Sequence, residues 1–197
     1  WEFNKDAYLN LKRRLHESGP RTGSEDVFLG RDRRAARDSL RPTEKQIRGL
    51  VVPALLEALR TEKDADIVTG CMIALAKIGD APSETGDSQF EKVISKFLAD
   101  KNQEISETSA VALGILANPK SIDTLKFLLT DTKEGRTLVG QPEVNYRTRA
   151  FAAYGLGLIG KLTSSEEDRK QIVTILRQTI ESDNTKTRDL KVSCVIA

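Results

Sequence analysis

Residues 154–160 have the sequence YGLGLIG, and related stretches occur at residues 73–79, 111–117 and 195–197. In the three earlier copies a small residue is followed by Leu and a second small residue, and the last copy stops on the small residue. The copies lie about 40 residues apart, a period that is typical of helical repeat proteins. The leading small residues are Ala74, Ala112, Gly155 and Ala197.

Each copy follows a residue that favours the start of a helix. About ten residues before each leading small residue lies a side chain that can accept a hydrogen bond from a free backbone N–H of the first helical turn. We therefore predict one helix in each copy, and we expect Gly79 and Gly160 to end two of these helices with positive φ. The predicted N-caps are Asp64, Asn102, Asn145 and Thr187.

The sequence also predicts a first helix in every repeat. Capping boxes mark three starts, and Asn118 before Pro119 marks the other. Pro53 lies within the earliest of these helices and is predicted to bend the chain at residues 51–52, because it removes a backbone hydrogen bond. The capping boxes pair Thr43 with Gln46, Ser88 with Glu91, and Ser164 with Glu167.

The repeated unit resembles HEAT repeats, and is most similar to the short bacterial HEAT-like repeats related to phycobilisome lyases. The resemblance covers roughly residues 43–197 and rests on the pattern small-Leu-Gly-x-Ile-Gly in the second helix. HEAT repeats usually begin that helix with Val-Arg. Here Thr148-Arg149 and Leu190-Lys191 keep the basic residue, whereas the counterparts at 67–68 and 105–106 do not.

The resemblance implies an all-α fold, a right-handed α-α superhelix of the HEAT-like solenoid type. We expect three complete helix pairs and a truncated fourth, with repeats at 43–80, 87–118, 119–161 and 164–197, preceded by an N-terminal helical cap at 1–42. Since the last helix is apolar and stops at Ala197, we expect the chain to belong to a longer protein, and an extension past Ala197 to raise its melting temperature. Residues 1–12 resemble a stretch that precedes repeats in exported bacterial HEAT proteins, so export is one localisation that the resemblance implies.

Composition and motifs argue against an enzyme. The net charge is +2, which gives no overall attraction for nucleic acid or membrane, and no apolar run reaches the roughly 18 residues of a transmembrane helix. The one histidine, His16, stands beside Glu17, and consecutive residues on a helix do not face each other, so no catalytic triad is predicted. We expect no catalytic residue, no metal and no cofactor.

The cysteines and glycines of the repeats are predicted to be packing residues. Cys71 and Cys194 occupy the same repeat position in copies too far apart for a disulfide. The glycines of 155–160 lie within and at the end of a predicted helix, whereas a dinucleotide fingerprint follows a strand and opens a helix.

Two features are candidates for function. The insertion at 132–144 is either a binding loop or a tolerated insertion. The exposed side of the second helices is the other candidate, and we expect it to bind another protein or peptide. Its predicted residues are Asp66, Thr69, Glu104, Glu107, Tyr146 and Arg147.

The leading hypothesis is thus a non-enzymatic protein-interaction scaffold. Nucleic-acid binding through the Arg-rich stretch 31–41 is the alternative, although Asp32 and Asp38 dilute its charge. A lyase of the phycobilin type is implied by the resemblance alone, and we expect no adduct with a bilin. The arginines concerned are Arg31, Arg33, Arg34, Arg37 and Arg41.

Overall fold

The computed structural model describes residues 42–81, 87–182 and 187–197. Within these ranges every regular element is helical and no strand occurs, which confirms the all-α prediction. The chain divides into two units, residues 1–47 and 48–197. The cap predicted for 1–42 and the arginines of 31–41 lie outside the described residues, apart from Pro42.

The described part of the first unit is one capped turn, Glu44–Gln46. The Gln46 N–H donates to Thr43 Oγ1 at 3.3 Å, and the Thr43 N–H donates to Gln46 Oε1 at 2.9 Å. The predicted capping box is therefore confirmed.

The second unit contains the helices that we number α1 to α9. A 3₁₀ helix, Ser95–Ala99, continues α3, and a π-helix, Ile47–Val51, precedes α1. The bounds are α1 Val52–Thr61, α2 Ala65–Ile78, α3 Gln89–Ile94, α4 Gln103–Leu116, α5 Ser121–Leu129, α6 Lys133–Val139, α7 Tyr146–Leu162, α8 Glu166–Glu181 and α9 Arg188–Ile196.

The type of helix changes next to Pro53, at residues 51–52. The π-helix ends at Val51 and the regular α-helix begins at Val52, so that Pro53 lies in the first turn of α1. The fixed φ of proline suits the first turn of an α-helix.

Helices α2, α4, α7 and α9, which contain the four related stretches of sequence, pack side by side as a row within this unit. Helix α4 packs against α2 on one side and α7 on the other, and α9 packs against α7. Helices α1, α3, α5 and α8 pack against members of this row. The order of contacts is compatible with an α-solenoid.

Asparagine and aspartate side chains start three helices of the row, as predicted. Asp64 accepts from the N–H groups of Asp66 and Ile67, Asn102 from that of Glu104, and Asn145 from that of Arg147. Thr187 occupies the N-cap of α9, but its side chain forms no capping bond. At α3 the prediction holds in part: Ser88 accepts from the Glu91 N–H, but Glu91 accepts from the Ser121 hydroxyl instead of closing a box. At α5 the predicted start is wrong, because the helix begins at Ser121 with Lys120 at its N-cap, and Asn118 accepts from the Lys120 N–H in the turn before it.

The predicted start of α8 is wrong by one residue. Its N-cap is Ser165, not Ser164, and the Ser165 hydroxyl accepts from Asp168 N–H at 3.1 Å. Thr163 Oγ1 accepts from the Ser165 N–H at 3.1 Å. This hydrogen-bonded turn precedes the helix, which begins one residue later than predicted.

The predicted end of α7 at Gly160 is also wrong, since the helix continues to Leu162. Arg169 donates to the carbonyl oxygens of Gly160 and Thr163, at 3.3 and 2.8 Å. These bonds satisfy carbonyl groups at the C-terminal end of α7. In many helices the backbone N–H groups at and after a glycine with positive φ bind such carbonyl groups instead. Gly79 does end α2 with φ 73°, and Ala117 ends α4 with φ 55°.

The small-residue positions form the core of the row. Cys71 and Cys194 are free and buried, and their counterparts Ser109 and Ala152 are buried too, which confirms the packing role and the absence of a disulfide between the two cysteines. Burial raises the pKa of the Cys194 thiol to about 11 and also raises that of Cys71. Both thiols are therefore neutral near pH 7.

Candidate interaction surface

The six predicted surface residues lie in the N-terminal halves of α2, α4 and α7. Asp66, Glu104, Tyr146 and Arg147 are exposed, and Thr69 is half-buried with its hydroxyl donating to Ala65 O at 2.8 Å. Glu107 is buried, with 3% of its surface exposed, so the prediction that it is displayed to solvent is wrong.

The buried Glu107 carboxylate has one partner on α7, Arg147, and one on its own helix α4, Gln103. Its Oε2 lies 3.1 Å from Arg147 Nη2, and its Oε1 accepts from Gln103 Nε2 at 2.6 Å. Gln103 Nε2 also approaches Asn145 Oδ1 at 3.2 Å, although Asn145 already caps α7. A buried carboxylate is tolerated when it is paired and hydrogen-bonded in this way.

We call these four residues, Gln103, Glu107, Asn145 and Arg147, the Glu107 cluster. Its two charged members differ in exposure: the Glu107 side chain is 4% exposed, whereas the Arg147 side chain is 55% exposed. The carboxylate is therefore fixed between the helices, while the guanidinium reaches it from the solvent side.

A pocket of about 430 Å³ opens beside the Glu107 cluster. The ring of Phe151 lines one side and packs perpendicular to Tyr154, with ring centroids 6.2 Å apart. Gln103, Glu104, Glu107, Thr108 and Arg147 complete the lining. The pocket thus joins a buried carboxylate, an aromatic ring and one exposed cation.

The charge of this surface changes along the row. Asp66 and Glu104 form no ion pair with any described residue, whereas Arg147 on α7 pairs with Glu107. The charged residues of the predicted surface on α2 and α4 are therefore carboxylates without an ion-pair partner among the described residues.

The insertion at 132–144 forms an ordered helix, α6, packed against α5. Gly135 contacts Phe127 so closely that an added Cβ would lie 2.2 Å from the Phe127 carbonyl oxygen. Asp131, with φ 52°, pairs with Arg136 at 2.7 Å and accepts from Val144 N–H at 2.7 Å. The hydrogen bond from Arg136 holds the pKa of Asp131 below its usual value.

Sequence reasoning missed the Glu107 cluster. Asn145 is predicted as an N-cap and Glu107 and Arg147 as exposed residues, but Gln103 is not predicted to have a role, and nothing local indicates that residues of α4 and α7 meet.

Among the described residues, no group of three or more His, Cys, Asp or Glu side chains could hold a metal ion. None of the described helices is both long and apolar enough to cross a membrane. His16 and the arginines of 31–41 lie outside the ranges described.

No protein-family model matches this chain, and no curated protein matches it at a significant level.

Proposed function

We propose that this chain is a non-enzymatic protein-interaction scaffold built from HEAT-like repeats, and that it binds an extended polypeptide segment across α2, α4 and α7. The observation that carries the proposal is the pocket at the Glu107 cluster. Its lining comes from two neighbouring helices of the row, α4 and α7, so it depends on the packing of one repeat against the next.

The exposed side of the row supports a peptide ligand rather than a small molecule. Asp66, Glu104 and Tyr146 lie on three successive helices and are exposed, with Tyr146 47% exposed. An exposed tyrosine beside unpaired charges provides both contact area and hydrogen-bonding groups, which is typical of protein-binding surfaces.

The charges of this surface disfavour nucleic acid as the ligand. A phosphate backbone is bound chiefly by Lys and Arg, whereas the α2–α4 side carries the carboxylates of Asp66 and Glu104. The alternative based on residues 31–41 concerns another part of the chain and makes a separate prediction, binding of duplex DNA that weakens steeply with salt.

The proposal can be tested by selecting random displayed peptides on the immobilised whole chain. We expect peptides to be enriched, and their binding to weaken when Glu104→Lys or Tyr146→Ala is introduced. Glu167→Lys on α8 is the matched control, because Glu167 is equally an exposed helical glutamate but lies off the row. Peptides that bind all variants alike would contradict the proposed surface.

A further inference from the structure

The pocket at the Glu107 cluster has a composition that favours one kind of guest. Two carboxylates, Glu104 and Glu107, face a single cation, Arg147, and an aromatic ring, that of Phe151, lies beside them. The local charge is therefore negative by one unit.

We infer that this pocket receives a Lys or Arg side chain of the bound segment, an inference that rests on the proposed function. The incoming cation pairs with the buried Glu107 carboxylate and takes the place of Arg147, while its aliphatic stem lies against the Phe151 ring.

The difference in exposure within the ion pair supports this exchange. Glu107 is fixed by Gln103, whose Nε2 lies 2.6 Å from its Oε1, and its side chain is only 4% exposed. Arg147 is 55% exposed and pairs with Glu107 through Nη2 at 3.1 Å. A long, largely solvated side chain loses little when it swings out into water, whereas a buried carboxylate must keep a cationic partner.

Phe151 adds a second preference for a cation. The face of an aromatic ring attracts ammonium and guanidinium groups. Its perpendicular packing against Tyr154, at 87°, holds the ring in place beside the pocket. A neutral apolar guest that displaced Arg147 would gain the contact with the ring but would leave Glu107 without its charge partner.

An acidic guest is disfavoured by the same geometry. It could pair with Arg147, but Glu104 and Glu107 would then lie close to the new negative charge. Like charges brought together at an interface cost free energy and suppress binding of the wrong partner.

Selection of random displayed peptides on the wild-type chain supplies the probe. We expect Lys or Arg to be enriched at one position of the selected peptides. Synthetic versions of the best peptide, with Arg replaced by citrulline or Lys by norleucine, should bind about tenfold more weakly in fluorescence anisotropy, because a charge-assisted hydrogen bond is lost.

Two variants test whether the incoming cation replaces Arg147 at Glu107 or whether the ion pair between Arg147 and Glu107 only joins α4 to α7. Glu107→Gln keeps the size of the side chain, and we expect it to abolish the difference between the Arg and citrulline peptides. Arg147→Gln removes the resident cation, and we expect it to tighten binding of the cationic peptide several-fold. An ion pair that only joins α4 to α7 would give no gain with Arg147→Gln.

Glu167→Gln on α8 is the control and should leave every affinity unchanged. Thermal melts of all variants show whether each one folds. Enriched peptides without a Lys or Arg preference, or with an Asp or Glu preference, would overturn this inference while leaving the scaffold function intact. If no peptide is enriched, the result contradicts both the proposed function and the inference.

Discussion

Gly114 of α4 and Gly155 of α7 are in backbone contact, so that a Cβ added to Gly114 would lie 2.3 Å from the Gly155 Cα. Both residues are buried, Gly114 in the last turn of α4 and Gly155 near the middle of α7. The two helices that supply the Glu107 cluster are therefore held together at a point where no side chain fits between them.

We expect Gly114→Ala to destabilise the chain by about 1–3 kcal/mol, because the added methyl group must push α4 away from α7. Denaturant titration followed by circular dichroism measures the change. The matched control is Gly70→Ala in α2, where an added Cβ would meet nothing within 4 Å. This control should be stabilising by about 0.5–1 kcal/mol, since alanine is the better helix former. Equal effects at both sites would contradict the close contact.

Helix capping gives a second pair of variants. Asn145→Ala should cost about 1 kcal/mol, because the Arg147 N–H loses its acceptor and Gln103 loses a contact. Thr187→Ala at the start of α9 should change stability by less than about 0.5 kcal/mol, because the Thr187 side chain makes no capping bond. Thermal melts of the two variants, recorded side by side, test this difference. A larger loss for Thr187→Ala than for Asn145→Ala would argue against these two helix starts.

Asp131 makes the stability of the chain depend on pH in the acid range. The pKa of its carboxyl group is lowered in the folded state, chiefly because Arg136 donates hydrogen bonds to it. A lowered folded pKa means that the ion pair stabilises the fold fully above the unfolded pKa, and that this contribution is lost as pH falls through the folded pKa.

We therefore expect the wild-type melting temperature to fall more steeply below about pH 4 than that of Asp131→Asn. Asparagine is the suitable replacement because it tolerates the left-handed backbone at this position, where φ is 52°. Melting curves recorded from neutral pH down into the acid range provide the measurement. Parallel pH profiles for the two proteins would show that Asp131 contributes nothing.

The two cysteines should be unreactive while the chain is folded. Both are buried, and with a pKa of about 11 the Cys194 thiol is ionised only to about one part in a thousand at pH 8. Titration with a thiol reagent should give almost no fast reaction in buffer and two equivalents in denaturant, one for each cysteine of the chain. Fast labelling of either cysteine in buffer would contradict its place in the core.

Local patterns predicted the parts of the fold that depend on a few neighbouring residues. Asp64, Asn102 and Asn145 start their helices as expected, because a cap needs only one acceptor and the next turn of backbone. Where a distant residue intervenes, the local prediction fails. Arg169 of α8 satisfies the carbonyl groups at the end of α7, and Gly160 does not end that helix.

The candidate site was predicted only as a set of positions. Five of its six residues are at least partly accessible, because helical periodicity indicates which side of a helix faces outward. The sixth, Glu107, is buried by Arg147 and Gln103, and one of these belongs to the next repeat. The sequence likewise shows the insertion at 132–144, but not that it folds as α6.

By itself, the sequence determined the all-helical class, the repeat period and most of the helix starts, since these depend on hydrogen bonds and periodicity within about ten residues. The tertiary structure alone decided the contact between Gly114 and Gly155, the burial of Glu107 and the pocket beside it. These features require residues some 40 positions apart to lie within contact distance, and that distance is set by how closely two helices pack. The sequence predicts the helices, and their packing forms the surface between them.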